Sequence, residues 1–261
     1  MDFGLKEKTA LVLGAGGGLG SAIATTLAAE GAKVAVADVN ADAANKTVGS
    51  IVADGGNAIA LSWNLENLGA IDSQISTIEQ RFGAVDIVVN NTGGPPPTPA
   101  SGQPPDMWAS HFQSMVLSVI AITDRILPSM KRRQWGRIIT SASSGVISPI
   151  PNLAISNSLR LTLVGWSKTL AREVGADGIT VNVICPGRIA TSRITALDKH
   201  KAEWERRAAS EVVAESTASI PLKRYGNPNE YADVVTFLAS ERASYVTGSV
   251  IRVDGGLIPS I

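Results

Sequence analysis

A single cysteine, Cys185, and two histidines, His111 and His200, are all that 261 residues offer of the soft metal ligands. One cysteine cannot close an intrachain disulfide, so the chain reads as a protein of a reducing compartment. The same scarcity argues against a His/Cys metal centre, and no metal is expected. Excess charge is missing too. Lysine plus arginine and aspartate plus glutamate both number 23, which leaves no field to draw nucleic acid or an anionic membrane. No apolar stretch approaches the roughly 20 residues of a membrane span. The opening MDFGLKEK places charges where a secretory leader needs an apolar run. These absences predict a cytoplasmic protein whose partner is a small molecule, and the 44% hydrophobic content suffices for a sizeable core.

What is present is a rhythm. Apolar, β-branched runs at 9–14, 33–38, 57–63, 85–90, 136–143, 179–184 and 248–256 read as strands. Helical patterns at 19–30, 67–82, 106–130, 153–174 and 228–240 separate them. Strands that are apolar nearly throughout, joined by helices, imply a parallel sheet covered on both faces. The expectation is a single α/β domain over 1–261, a doubly wound, seven-stranded parallel sheet flanked by helices. Two segments break the rhythm. NNTGGPPPTPASGQPPD (90–106) is a stiff, proline-rich loop, and an insert of mixed charge follows the sixth strand over 188–219. Both leave from the carboxyl ends of strands, where open α/β sheets bind ligands. Loop 95–105 and the insert are therefore expected to wall the substrate site, with the insert as a lid.

LGAGGGLG (13–20) joins the first strand to the first helix, with Gly14, Gly18 and Gly20 in a GxxxGxG spacing. Such a turn lets backbone N–H groups approach a pyrophosphate at the helix N-terminus. Asp38 ends the second strand, where its carboxylate can accept hydrogen bonds from an adenosine ribose diol. Together these point to a dinucleotide-binding Rossmann fold. Asp38 would repel a 2′-phosphate and the turn offers no Arg or Lys to receive one, so NAD is expected over NADP. Lys33, at the start of that strand, is expected to point elsewhere.

With these elements the sequence resembles the short-chain dehydrogenase/reductase family over essentially its whole length, nearest to the β-ketoacyl reductase branch. NNTGG (90–94) is similar to the family's Asn-Asn-Ala-Gly element, PGRIAT (186–191) to its Pro-Gly-x-Ile-x-Thr element, and ASYVTGSVIRVDGG (243–256) to its last strand. The resemblance implies that Gly14, Gly17, Gly18 and Leu19 meet the pyrophosphate and that Asn64 and Leu65 lie beside the adenine. It implies that Asn91 and Gly93 run past the nicotinamide ribose, and that Pro186, Gly187, Ile189 and Thr191 hold the carboxamide end. It also implies a homotetramer built through helices 106–130 and 153–174 and the final strand. Cys185 is expected to be a small buried residue, not a nucleophile.

The family's chemistry rests on an Asn, a Ser and a Tyr-x-x-x-Lys pair. Aligned to it, GRIITSAS supplies Ser143, but AISNSLRLTLVGW brings Ser156 and Arg160 to the Tyr and Lys positions, and Met115 to the Asn position. Ser156 and Arg160 stand at i and i+4, on one side of a helix whose Leu159, Leu163, Trp166, Leu170 and Val174 form an apolar stripe. Arg160 can bind ribose hydroxyls but cannot shuttle a proton. Tyr225, Tyr231 and Tyr245 all fall far from this helix in sequence; His111, one turn before Met115, could join a proton relay. Three readings stay open at this point. The protein transfers hydride between nicotinamide and a carbonyl/alcohol substrate by an atypical proton route, with Ser143, Ser156 and Arg160 as its catalytic residues; it is an NAD-binding regulatory or structural protein; or it is a lyase or isomerase on the same fold.

Overall fold

In the computed structural model, which describes residues 2–261, alternation along the strands decides which helices cover which face of the sheet. The strands are β1 (Thr9–Leu13), β2 (Lys33–Asp38), β3 (Asn57–Ser62), β4 (Ile87–Asn90), β5 (Gly136–Ser141), β6 (Ile179–Pro186) and β7 (Val250–Val253). All pairings are parallel, in the order β3-β2-β1-β4-β5-β6-β7. Ala10 and Val12 of β1 and Val34 and Val36 of β2 point to one face. There they pack with α1 (Gly18–Ala29), α2 (Ala41–Ala53) and α9 (Pro228–Ala239). Leu11 and Leu13, with Ala35 and Ala37, point to the other, under α3 (Ile71–Phe82), α5 (Ser118–Arg133) and α6 (Ala154–Val174). Two buried faces explain why these strands are apolar throughout.

Strand order reverses between β1 and β4, so the carboxyl ends of those two strands open a crevice at the switch point. The expected final strand 248–256 is cut to Val250–Val253 because Gly248, Gly255 and Gly256 all adopt positive φ at its ends. The expected helix 106–130 is interrupted. α4 (Pro105–Phe112) runs into a π-helical turn, Gln113–Leu117, before α5 begins. The insert folds as two helices, α7 (Ser192–Glu205) and α8 (Ala209–Ser219). No helix among the described residues is long and apolar enough to cross a membrane.

One expectation about the walls fails. Residues 95–105 do not line the cleft; 148–151, Leu153 and 257–259 do, opposite the insert. The proline-rich loop is held back against the start of α6. The Thr98 N–H donates to the Asn152 carbonyl at 2.7 Å, and the Ala154 N–H donates to the Thr98 carbonyl at 3.2 Å.

Candidate active site

The crevice begins at the turn after β1. Gly14 (φ +58°) and Gly18 (φ +55°) are left-handed. A Cβ on Gly20 would fall 2.1 Å from the Gly14 carbonyl oxygen, so only glycine permits so tight a turn. Gly17, the N-cap of α1, offers no side-chain acceptor, which leaves the first N–H groups of that helix directed outward with Leu19 beside them. Asn91 lines both parts of the crevice, and its side-chain amide donates to the carbonyls of Leu13 and Gly14, both at 3.2 Å, and braces this turn.

Asp38 closes the other end. Its carboxylate accepts from the Gly16 N–H at 2.8 Å and the Asn40 N–H at 2.9 Å, which fixes its direction. A second acceptor site on each oxygen stays available. Asp38 lines a pocket with Asn64, Leu65, Glu66 and His111, and no Lys or Arg is among its lining residues. Lys33 turns away, paired with Glu7 at 2.7 Å.

The larger cleft, about 570 Å³, adjoins this pocket across Asn91–Gly94 and carries the remaining groups. Gly187 is pinned by Asp254, whose Cα a Cβ there would meet at 2.6 Å; Pro186, Ile189 and Thr191 continue the wall. The Thr191 hydroxyl caps α7 by accepting from the Ile194 N–H, and its methyl faces Gly18. Ser143 and Ser156 line the cleft together. The Ser143 hydroxyl accepts from the Gly145 N–H at 3.0 Å, which orients it and leaves its proton free to be donated.

Ser156 and Arg160 are each only 8% exposed, so the first turn of α6 is no solvated helix start. The stripe of that helix shifts accordingly: Trp166 is half-buried and Ser167 takes the buried place. Arg160 lies under the ends of β4 and β5. It donates to the carbonyls of Ser141 (2.9 Å), Thr92 (3.2 Å) and Gly93 (3.2 Å). Burial, with the like charge of Arg193 nearby, brings it down to about 10, so it stays a cation at neutral pH. Met115 is 2% exposed and packs with Ile155 and Leu159 of α6. It sits in the π-helical turn, a feature often found at functional sites.

Tyr231 is the residue that sequence order concealed. Its hydroxyl meets Ser141 Oγ at 2.8 Å and donates to the Ile184 carbonyl, behind the strand that Arg160 braces. It is fully buried, burial pushes its pKa up, and it does not line the cleft. His111 lies in the Asp38 pocket and not with Ser143 and Ser156, which removes it from a relay at those serines. Cys185 is buried and its thiol is pushed up to about 11, as expected of a packing residue. The titratable side chains lining the cleft are arginines only: Arg160, Arg188 and Arg193. Among the described residues no cluster of His, Cys, Asp and Glu could hold a metal ion.

A family profile described as Enoyl-(Acyl carrier protein) reductase matches residues 14–258. The 3-oxoacyl-[acyl-carrier-protein] reductase of Salmonella typhimurium is 36% identical over 252 residues, 96% of this chain and 97% of that protein. The chain belongs to the short-chain dehydrogenase/reductase family. It is an oxidoreductase of that family. The 3-oxoacyl-[acyl-carrier-protein] reductase of Synechocystis sp. is another relative, 34% identical over 97% of this chain and 98% of its own. Among solved members, L-sorbose reductase from Gluconobacter frateurii, complexed with NADPH and L-sorbose, superposes with a TM-score of 0.94 at 29% identity, covering 100% of both chains. Nicotinamide nucleotide use follows from membership; which nucleotide does not.

Proposed function

We propose that the protein is an NAD(H)-preferring reductase or dehydrogenase of a carbonyl/alcohol pair whose proton does not pass through a tyrosine. One observation carries the reading. A crevice that runs from the Gly14–Leu19 turn past Asn91–Gly94 ends on Ser143, Ser156 and Arg160, and the titratable side chains lining that end are arginines only. The fit for a dinucleotide is good: outward helix N–H groups at Gly17 and Gly18, an oriented carboxylate at Asp38, and a wall from Pro186 to Thr191.

In this reading Gly14, Gly17, Gly18 and Leu19 hold the pyrophosphate and Asp38 the adenosine ribose. Asn64 and Leu65 flank the adenine, and the Gly93 backbone with Pro186, Gly187, Ile189 and Thr191 holds the nicotinamide end. The acidic, cation-free pocket around Asp38 and Glu66 favours NAD over NADP. When bound, the nicotinamide supplies or accepts a hydride. The chain's own contribution is positional: Ser143 and Ser156 hydrogen-bond the substrate oxygen, and Arg160 keeps a fixed positive charge beside it. Protons then come from water or from the substrate itself, because no lining group can store one at neutral pH. Ser156 stands for the family's tyrosine, Arg160 for its lysine and Met115 for its asparagine. Residues 188–219 act as the lid, and the chain assembles as a homotetramer. Exposed Phe112, Leu117 and Leu161 on one side and Phe237, Tyr245 and Val250 on another suit two interfaces.

Reduced-nicotinamide absorbance, followed with NADH and NADPH over a panel of ketones, aldehydes and alcohols, tests the reading. Turnover with NADH favoured over NADPH is expected. Tight dinucleotide binding without any redox change across the panel would instead support a regulatory role or non-redox chemistry.

A further inference from the structure

The insert opens with two arginines, and their surroundings separate them. Arg188 is committed: it pairs with Asp198 at 2.5 Å, a carboxylate only 3% exposed that also accepts from the Tyr225 hydroxyl at 2.7 Å. Its charge is neutralised, and the pair holds α7 against the end of β6. Arg193 has no such partner. Among the described residues its one hydrogen bond runs from Nη2 to the Pro95 carbonyl at 2.7 Å, and it forms no ion pair there. From the first turn of α7 its guanidinium reaches back over Gly94. A Cβ on Gly94 would meet Arg193 Nη2 at 3.2 Å and Arg160 Nη2 at 3.9 Å. Two guanidinium groups, buried Arg160 and exposed Arg193, therefore converge on one exposed glycine of the cleft wall, and among the described residues no carboxylate lines that cleft.

Like charges so close cost free energy unless something negative lies between or beside them. Arg160 spends three N–H groups on backbone carbonyls, whereas Arg193 keeps most of its planar fork open. At the glycine turn it is Thr191, not Arg193, that lies against Gly18. The cleft also offers apolar wall, with Ile150, Leu153, Leu197, Leu257 and Ile258 in its lining beside hydroxyls such as Ser148 and Ser192. We propose that Arg193 is the specificity-determining anchor for a carboxylate on the substrate, and that the substrate is a carbonyl compound joining that carboxylate to an apolar body. A carboxylate matches a single open fork bidentately, while a phosphoryl dianion carries more charge and more acceptors than one fork satisfies. The inference rests on the reading of the cleft as a dinucleotide-dependent oxidoreductase site and adds the charge of what is turned over.

The test is calorimetry on NADH-saturated protein with phenylacetate and phenylpropanoate, their uncharged amides and phenyl phosphate. The acids are expected to bind about tenfold or more tightly than the amides, and Arg193→Gln should erase that difference. Its affinity for NADH should stay within about twofold of wild type, and Arg132→Gln, on an exposed turn of α5, should change nothing. Equal affinity for acids and amides, no binding by any acid, or discrimination that survives Arg193→Gln would overturn the proposal. So would tighter, Arg193-dependent binding of phenyl phosphate, or an Arg193→Gln variant that loses NADH affinity while still preferring acids. Failure is separable from that of the parent reading: if wild type binds neither NADH nor NADPH, the dinucleotide reading falls first.

Discussion

The two halves of the crevice are built from different materials. The Asp38 half is made mostly of backbone: N–H groups of a glycine turn, a helix N-terminus, and one carboxylate held by two further N–H groups. The Ser143–Arg160 half depends on side chains alone. In the first half the glycine turn and Asp38 keep the pattern that the resemblance implies. In the second, Ser156, Arg160 and Met115 stand, as we propose, where the family carries Tyr, Lys and Asn. Arg160 satisfies three carbonyls, and Met115 joins the apolar packing under α6. Backbone recognition constrains a sequence through shape, so the glycines must stay; side-chain chemistry can be replaced as a set while the frame stands.

The largest effect expected from breaking this contrast comes from restoring the lost set. Met115→Asn, Ser156→Tyr, Arg160→Lys together should raise reduction of simple ketones by about 10²–10⁴-fold, the usual contribution of general acid catalysis. Steady-state kinetics with NADH checks this, with Ser156→Ala alone as the companion. If Ser156→Ala leaves turnover of the native substrate untouched, that serine is packing and not chemistry.

Arg160→Ala should come next, and its main expense is structural. It strands the carbonyls of Ser141, Thr92 and Gly93 in a buried place, at about 3 kcal/mol or more of folding stability. Denaturant unfolding reads this directly, and an unchanged midpoint would show that water replaces the guanidinium freely.

Asp38→Ala sharpens the comparison from the other side. It should weaken NADH by about ten- to a hundredfold, since hydrogen bonds to a charged group contribute about 1.5–3 kcal/mol, and leave NADPH less affected. Isothermal titration with both nucleotides checks it.

The smallest expected effect is an absence of change. With only arginines titrating along the cleft, kcat for NADH oxidation should be flat from about pH 6 to 9. It should decline only as the pH rises through about 10, where Arg160 gives up the proton it holds below that value. A bell-shaped profile centred near neutrality would reveal a proton donor outside these residues.

How much of this the chain announces can be traced residue by residue. The strands, their parallel pairing and the pyrophosphate turn were legible because each follows from local pattern: alternation, apolar runs and glycine spacing. The pairing of Ser156 with Arg160 on one buried helix face was legible from the i, i+4 step. Tyr231 was not, because its contact with Ser141 spans 90 residues of sequence and depends on how α9 crosses the sheet. Nor was the sorting of Arg188 from Arg193, which depends on Asp198 of α7 pairing with the first of them inside an insert whose fold no periodicity fixes. The proline-rich loop was misplaced for a similar reason. Its stiffness was visible, but the bridge from Thr98 to Asn152 and Ala154 that pulls it off the cleft was not.

The π-helical turn at Gln113–Leu117 has a consequence for how this enzyme can be altered. Such a turn is in effect an α-helix with one residue too many, so deleting any single residue within it returns the helix to ordinary winding. Because the turn already absorbs the extra residue, everything downstream would keep its place around the axis, with Ile122, Ile126 and Met130 still against the sheet. The same deletion early in α5 would instead turn those three side chains by about 100°, since an α-helix advances by 3.6 residues per turn. Loss of one codon at Gln113–Leu117 should therefore be far better tolerated than loss of one from α5.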